Sequence, residues 1–154
     1  MKRILFVCTG NTCRSPMAEA ILKNKNLEGI EVRSAGVFAV DGNEASAHAK
    51  QVLEENQIVH NHQSSLLSGE EVGWADLILT MTGSHKNAIL NYYPESAAKL
   101  FTLKEFTGET DFQDISDPYG GNVSMYRETF RELEKLINIV IEKITKHNKA
   151  SSPS

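Results

Sequence analysis

A short apolar run, Ile4-Leu5-Phe6-Val7, leads into Cys8-Thr9-Gly10-Asn11-Thr12-Cys13-Arg14-Ser15-Pro16, and a helical-looking segment, Met17-Ala18-Glu19-Ala20-Ile21-Leu22, follows at once. A buried strand feeding a tight loop that feeds a helix is half of a βαβ unit, and it fixes the fold class before anything else is read. Pro16 suits the first helical turn, where its missing N–H costs nothing. Backbone N–H groups from such a loop and from the helix start converge on one concavity at the positive end of the helix dipole. That concavity is an anion site of the kind that holds phosphate. A cysteine opens the loop and an arginine closes it, with five residues between.

The spacing has a chemical reason. A thiolate is a strong nucleophile, but a free thiol near neutral pH is only a few per cent ionised. Converging N–H donors and a helix N-terminus favour the anion, so Cys8 is expected to ionise more readily than a free cysteine. Ser15 is placed to donate its hydroxyl to the same sulfur. Arg14 offers a planar fork that grips two phosphate oxygens. A phosphoryl group held there faces Cys8, and the loop Thr9, Gly10, Asn11, Thr12, Cys13, Arg14 and Ser15 stabilises its equatorial oxygens. A Cys–x5–Arg match alone recurs in unrelated chains, and a lone cysteine at a strand end is more often packing. The ordered context of strand, cysteine, glycine-containing loop, Arg-Ser-Pro and helix is what carries the reading.

The chain has 154 residues, enough for one domain, and 40% of them are hydrophobic, enough for a core. Sixteen basic against twenty acidic residues leave a net charge of −4, which does not suggest nucleic acid as a partner. Both cysteines sit in the loop, so they are not a secreted disulfide framework, and a reducing, cytoplasmic setting fits better. The opening Met1–Val7 imitates a signal peptide faintly, with too short an apolar core, and no stretch approaches transmembrane length.

Strands are expected over 3–8, 30–35, 75–81 and around 99–103, and helices over 16–26, 44–56, 83–91 and 124–146. Residues 104–121 read mostly as loop, with Ser64, Ser65 and Ser68 as loop or cap residues. Residues 1–147 form the domain, and 148–154 are expected to be a disordered tail. Alternating strands and helices imply a doubly wound α/β sheet, with ligands at the carboxyl ends of its strands.

A leaving group expelled from phosphorus needs a proton. In Asp117-Pro118-Tyr119-Gly120-Gly121 the proline restricts and stiffens Asp117, Tyr119 is placed to wall a pocket, and the glycines allow a sharp turn. Asp111 and Asp114 are rivals without that setting. Phe38, after Gly36, is placed either to flank the pocket or to pack, and Trp74 and Met81 read as core. The histidines, His48, His60, His62, His85 and His147, make no persuasive metal-ligand set.

These motifs resemble the low-molecular-weight protein tyrosine phosphatase family nearly end to end. The matching pieces are Val7-Cys8-Thr9-Gly10-Asn11 with Cys13-Arg14-Ser15-Pro16, Ser34-Ala35-Gly36, Ala75-Asp76-Leu77-Ile78-Leu79-Thr80-Met81 and Asp117-Pro118-Tyr119. The resemblance implies a single domain with a four-stranded parallel sheet and helices on both faces. It also implies phosphorylated protein substrates and a phosphocysteine mechanism without metal or other cofactor. Carried over by position, Cys8 is the nucleophile, Arg14 the phosphate clamp, and Asn11 and Ser15 the supports of loop and thiolate. Asp117 is the general acid and then base, and His62 buttresses Asn11. A monomer acting in the cytoplasm, away from membranes and nucleic acid, is expected.

Two departures bear on substrate. Thr12 stands where tyrosine-specific members carry a larger aliphatic residue, and Gly120 where many place a second aromatic. With Phe101-Thr102-Leu103-Lys104-Glu105 these features resemble the protein arginine phosphatase subgroup of Gram-positive bacteria. A guanidinium is planar, polar and cationic; the Thr12 hydroxyl and the Asp117 carboxylate suit it, and Tyr119 walls the slot. Phosphoarginine is therefore the expected substrate and phosphotyrosine the alternative. Cys13 is expected to capture an oxidised Cys8 as a reversible disulfide. Arsenate reductase would need later cysteines that the chain lacks. A phosphocarrier would need neither Arg14 nor Asp117, and a phosphoprotein-binding module would not need the full catalytic set.

Overall fold

The computed structural model describes residues 2–108 and 114–151. In chain order they form β1 (Lys2–Cys8), α1 (Arg14–Asn24), β2 (Ile30–Gly36), α2 (Ala47–Glu55), α3 (Gly69–Trp74), β3 (Leu77–Thr80), α4 (Gly83–Tyr92), a 3₁₀ turn (Pro94–Lys99), β4 (Leu100–Thr102), α5 (Leu103–Thr107) and α6 (Val123–Ser151). The sheet runs β2-β1-β3-β4, and all three pairings are parallel. β1 is central because both of its faces are apolar, as a strand covered on two sides must be. Ile4 and Phe6 join a core with Met17, Ile21, Val52 and Leu133, so α1, α2 and α6 cover that face. Leu5 and Val7 join Val72 and Ile89, so α3 and α4 cover the other.

From β1 the chain runs through α1 to β2 at one edge of the sheet, then crosses back through α2 and α3 to β3 on the other side of β1. At that point the connections diverge and leave a crevice beyond the carboxyl end of β1, where Cys8 lies. Cys8 pairs with Gly36 across the β1–β2 ladder. Gly36 has to be glycine: a Cβ there would stand 2.9 Å from the Asn11 nitrogen and closer still to the Thr9 carbonyl. The loop passes directly over the end of β2, and the N–H groups of Val37 and Phe38 bond to the carbonyls of Cys8 and Thr9, each at 3.0 Å.

Several boundaries differ from those expected. Residues 103–107 are helical, not loop, because Thr102 and Glu105 form a reciprocal capping box. α3 begins directly after Ser68, whose carbonyl accepts from Val72 N–H at 3.1 Å. β3 is shorter than the 75–81 expected, because Asp76 turns aside to accept from Arg3 N–H at 2.9 Å. α6 runs past Lys146 to Ser151 and into the stretch expected as a tail, since no glycine or proline intervenes there. Residues 152–154 lie outside the described residues.

Candidate active site

The loop from Cys8 to Ser15 closes onto the N-terminus of α1, whose N-cap is Cys13; among the described residues no side chain caps it. The first N–H groups of a helix lack internal acceptors, and here they surround the space in front of Cys8. A cleft of about 320 Å³ opens there, lined by Cys8, Thr12, Arg14 and Asp117, with Phe38 and Tyr119 at its rim. Thr9, Gly10 and Cys13 line it too. Phe38 and Tyr119 are 79% and 76% exposed, so Phe38 flanks the opening and does not pack in the core.

Asn11 holds the loop. Its backbone is left-handed, with φ 56°, and asparagine tolerates that better than most residues. Its side-chain amide donates to Ser15 Oγ at 2.8 Å and Ser34 Oγ at 2.9 Å, and its Oδ1 accepts from Ser65 N–H at 2.9 Å. Its carbonyl accepts from His62 Nε2 at 2.6 Å, which fixes the proton on that nitrogen. Ser34 in turn donates to Glu19 Oε1 at 2.7 Å. Because the Asn11 amide donates to Ser15 Oγ, the single Ser15 hydroxyl hydrogen is free to point at Cys8 Sγ, 2.8 Å away.

Arg14 is 4% exposed. One end of its guanidinium donates to the Ile115 carbonyl at 3.0 Å, and the other lies 3.5 Å from Asp117 Oδ2. The arginine is thus held by the protein while its fork faces the cleft. Asp117 Oδ1 accepts from Tyr119 N–H at 3.0 Å, a local turn that orients the carboxylate. Asp114 is spoken for elsewhere: its Oδ1 accepts from Gly83 N–H at 2.8 Å, at the start of α4. Asp111 lies outside the described residues. Of the candidate acids described, Asp117 alone lines the cleft.

The electrostatics correct one expectation. Burial pushes the Cys8 thiol up, and it outweighs the Ser15 hydroxyl, the Ser15 N–H, the Arg14 charge and the Asn11 N–H, which all pull the other way. Cys8 therefore does not ionise more readily than a free cysteine on these contacts alone. Anion-favouring groups are present, but so is the desolvation that the sequence does not display.

Other partners were missed in the sequence. His85 Nε2 lies 2.8 Å from Thr9 Oγ1, and burial followed by the Arg14 charge holds its pKa at about 4, so the ring is neutral at pH 7. Cys13 Sγ lies 3.3 Å from Tyr126 Oη and 3.5 Å from Ser46 Oγ. Burial and the Cys13 contact push Tyr126 up to about 12. Glu19, buried inside α1, was the one readable signal, since a carboxylate inside a core needs partners. It sits beside His60 and His62. Burial pushes its carboxyl up, yet His60, His62, Ser34 and Lys23 together hold it well below the usual carboxylate range. Of the histidines read as making no persuasive metal-ligand set, His60 and His62 come together with Glu19, with one polar atom of each within 4.8 Å of the others.

A buried thiol in a phosphate nest, an arginine fork and a carboxylate across a shared cleft define a cysteine-dependent phosphatase on a doubly wound sheet. The chain belongs to the low molecular weight phosphotyrosine protein phosphatase family, whose model matches residues 3–150. It is 56% identical, over 92% of its length and 95% of the relative's, to a protein-arginine-phosphatase of Geobacillus stearothermophilus. The structure of YwlE arginine phosphatase from that organism superposes with a TM-score of 0.96 at 51% identity, covering 100% of this chain and 99% of the other. A cysteine-to-serine mutant of YwlE arginine phosphatase, with its active-site serine phosphorylated, superposes at 0.87 and 44% identity, covering 94% and 96%.

Proposed function

We propose that this protein removes phosphate from phosphoarginine on proteins, through a phosphocysteine formed on Cys8. The observation that carries the chemistry is the position of Cys8 beneath the loop with Arg14 and Asp117 on the same cleft. A phosphate in the nest takes the Arg14 fork on two oxygens. The Cys8 thiol loses its proton to solvent, the resulting thiolate attacks phosphorus, the P–N bond breaks, and Asp117 protonates the leaving guanidine nitrogen. A water then attacks the phosphocysteine and gives its proton to Asp117; the S–P bond breaks and releases phosphate. The Ser15 hydroxyl steadies the sulfur in both steps, and Asn11, braced by His62, Ser34 and Ser65, keeps the loop N–H groups aimed at the oxygens.

Likeness to proteins named arginine phosphatases supports the substrate, as does the polar Thr12 in the cleft lining. Its Oγ1 lies 3.9 Å from Cys13 Sγ, and no closer partner holds it among the described residues. One observation favours phosphotyrosine as a second reading: the exposed rings of Phe38 and Tyr119 at the rim offer aromatic walls to a phenyl ring. The free thiols of Cys8 and Cys13 suit a reducing cytoplasm. Specificity constants for phosphoarginine and phosphotyrosine peptides, measured side by side, decide the substrate. A higher kcat/KM on phosphoarginine is expected; a preference for phosphotyrosine overturns the assignment.

A further inference from the structure

The first turn of α4 reaches two parts of the active site that come from distant stretches of chain. Thr82 caps it by accepting from His85 N–H at 3.2 Å, which fixes the backbone of His85. His85 is 5% exposed, and its Nε2 lies 2.8 Å from Oγ1 of Thr9 in the phosphate loop. Two residues earlier Gly83 N–H holds Asp114, and the Met81 carbonyl before it accepts from Ile115 N–H at 2.7 Å. Ile115 in turn gives its carbonyl to Arg14, and Asp117 follows two residues on. Residues 81–85 therefore hold the phosphate loop and the acid-bearing segment against each other.

Thr9 needs that hold. The later half of the loop is braced by Asn11 through Ser15, Ser34, Ser65 and His62. The earlier half, Thr9 and Gly10, lines the cleft with two hydrogen-bonded anchors among the described residues. They are the Thr9 carbonyl, which accepts from Phe38 N–H, and the Thr9 hydroxyl. As packing alone, a histidine at position 85 is a costly choice. Its Nδ1 is enclosed with no hydrogen-bond partner among the described residues. A buried polar atom left unpaired costs stability that an apolar ring of similar shape would not. Burial and the Arg14 charge, set against Asp114 and Asp117, keep the ring uncharged at pH 7, so it adds no second positive charge beside the Arg14 fork. Whichever ring nitrogen carries the proton, a hydroxyl can answer Nε2 as donor or as acceptor.

We infer that His85 is a positioning residue for the phosphatase reaction: through Thr9 Oγ1 it pins the first half of the phosphate loop, so that the N–H groups there stay aimed at the phosphoryl oxygens as charge develops on them. The ring does not line the cleft, and it acts through Thr9. Donors fixed in advance count most in the transition state, so the loss of this contact falls on kcat more than on KM. The inference rests on the phosphatase chemistry proposed for the cleft, not on which phosphorylated residue the cleft takes.

His85→Phe keeps a ring in the same space and removes both nitrogens, and Thr9→Val removes the hydroxyl at an exposed position. Each is compared with the parent for turnover of an aryl phosphate and for inhibition by orthovanadate, which takes up the five-coordinate geometry of the transition state. Each should lower kcat by about threefold to tenfold for one neutral hydrogen bond, and by up to about 10² where the loop shifts by about 1 Å. Vanadate inhibition should weaken in step, with KM near the parent's. The melting temperature of His85→Phe should stay near or above the parent's, since an unpaired buried nitrogen is gone; a residue that only packs would move the melting temperature and leave kcat alone. The double variant should be no slower than the slower single one, because both changes remove one contact. If His85→Phe does not fold, Thr9→Val carries the test, since it leaves the ring in place. Parent-like kcat and vanadate inhibition in Thr9→Val, or losses that multiply in the double variant, would overturn the inference. Failure of the phosphatase reading would show instead as a parent inactive on the aryl phosphate.

Discussion

Ser15→Ala isolates the contact that most directly favours the Cys8 thiolate. Ser15 is fully buried, and alanine fits the same space with one oxygen fewer. The Asn11 amide keeps its bond to Ser34 at 2.9 Å, so the loop retains its main brace. What is lost is the hydroxyl donor 2.8 Å from Cys8 Sγ. A hydrogen bond to a charged group is worth about 1.5–3 kcal/mol. At about 1.4 kcal/mol for each pKa unit, the Cys8 thiol should move up by about one to two units. The sign follows from the state that is favoured: the hydroxyl stabilises the anion, so its removal makes the proton harder to lose. The pH dependence of Cys8 alkylation by iodoacetamide reads this directly, with Cys13→Ala as background so that one thiol reacts. An alkylation midpoint left unchanged by Ser15→Ala would refute the assignment of the hydroxyl hydrogen to the sulfur.

Three further outcomes follow from the cleft. Asp117→Asn should slow turnover by about 10² to 10⁴ for a lost general acid. Its melting temperature should stay near that of the parent, since the carboxylate is half exposed, and the defect should shrink on a substrate whose leaving group needs no proton. Thr12→Ile should lower kcat/KM for phosphoarginine relative to phosphotyrosine. One neutral hydrogen bond is worth about 0.5–1.5 kcal/mol, so a shift of roughly threefold to tenfold in the ratio is expected, read from both specificity constants on both proteins. Peroxide followed by thiol should restore activity to the parent more fully than to Cys13→Ala, if the second loop cysteine captures the oxidised Cys8; equal recovery would leave Cys13 as a packing residue against Tyr126.

The β1–loop–α1 unit was legible because every signal in it is local: an apolar run, a glycine-containing turn and a proline in the first helical turn. α5 was not, although Thr102 and Glu105 carry its capping box, because the residues after it read by composition as loop. In sequence Asp117 is set apart from Asp114 only by the Pro118-Tyr119-Gly120-Gly121 that follows it. The fold adds what the sequence does not display, with Asp114 taken up at the start of α4 and Asp117 left on the cleft. The bracing of Asn11 joins residues up to 54 positions away. Position within a family motif points to His62, but Ser65 and the Glu19–His60 contact depend on how the chain crosses itself. Desolvation of Cys8 is likewise a property of packing, and no spacing of residues displays it.

Passage of the phosphoryl group through the sulfur of Cys8 is the step on which the proposed reaction turns. Asp117→Asn protein is mixed with an aryl phosphate whose leaving group needs no proton, so that the intermediate forms faster than it is hydrolysed, quenched under conditions that preserve S–P bonds, digested and read by mass spectrometry. One phosphoryl group is expected on the peptide that carries Cys8, appearing with substrate and disappearing as substrate is consumed. Phosphate release with that peptide unmodified at every time point would contradict the phosphocysteine route.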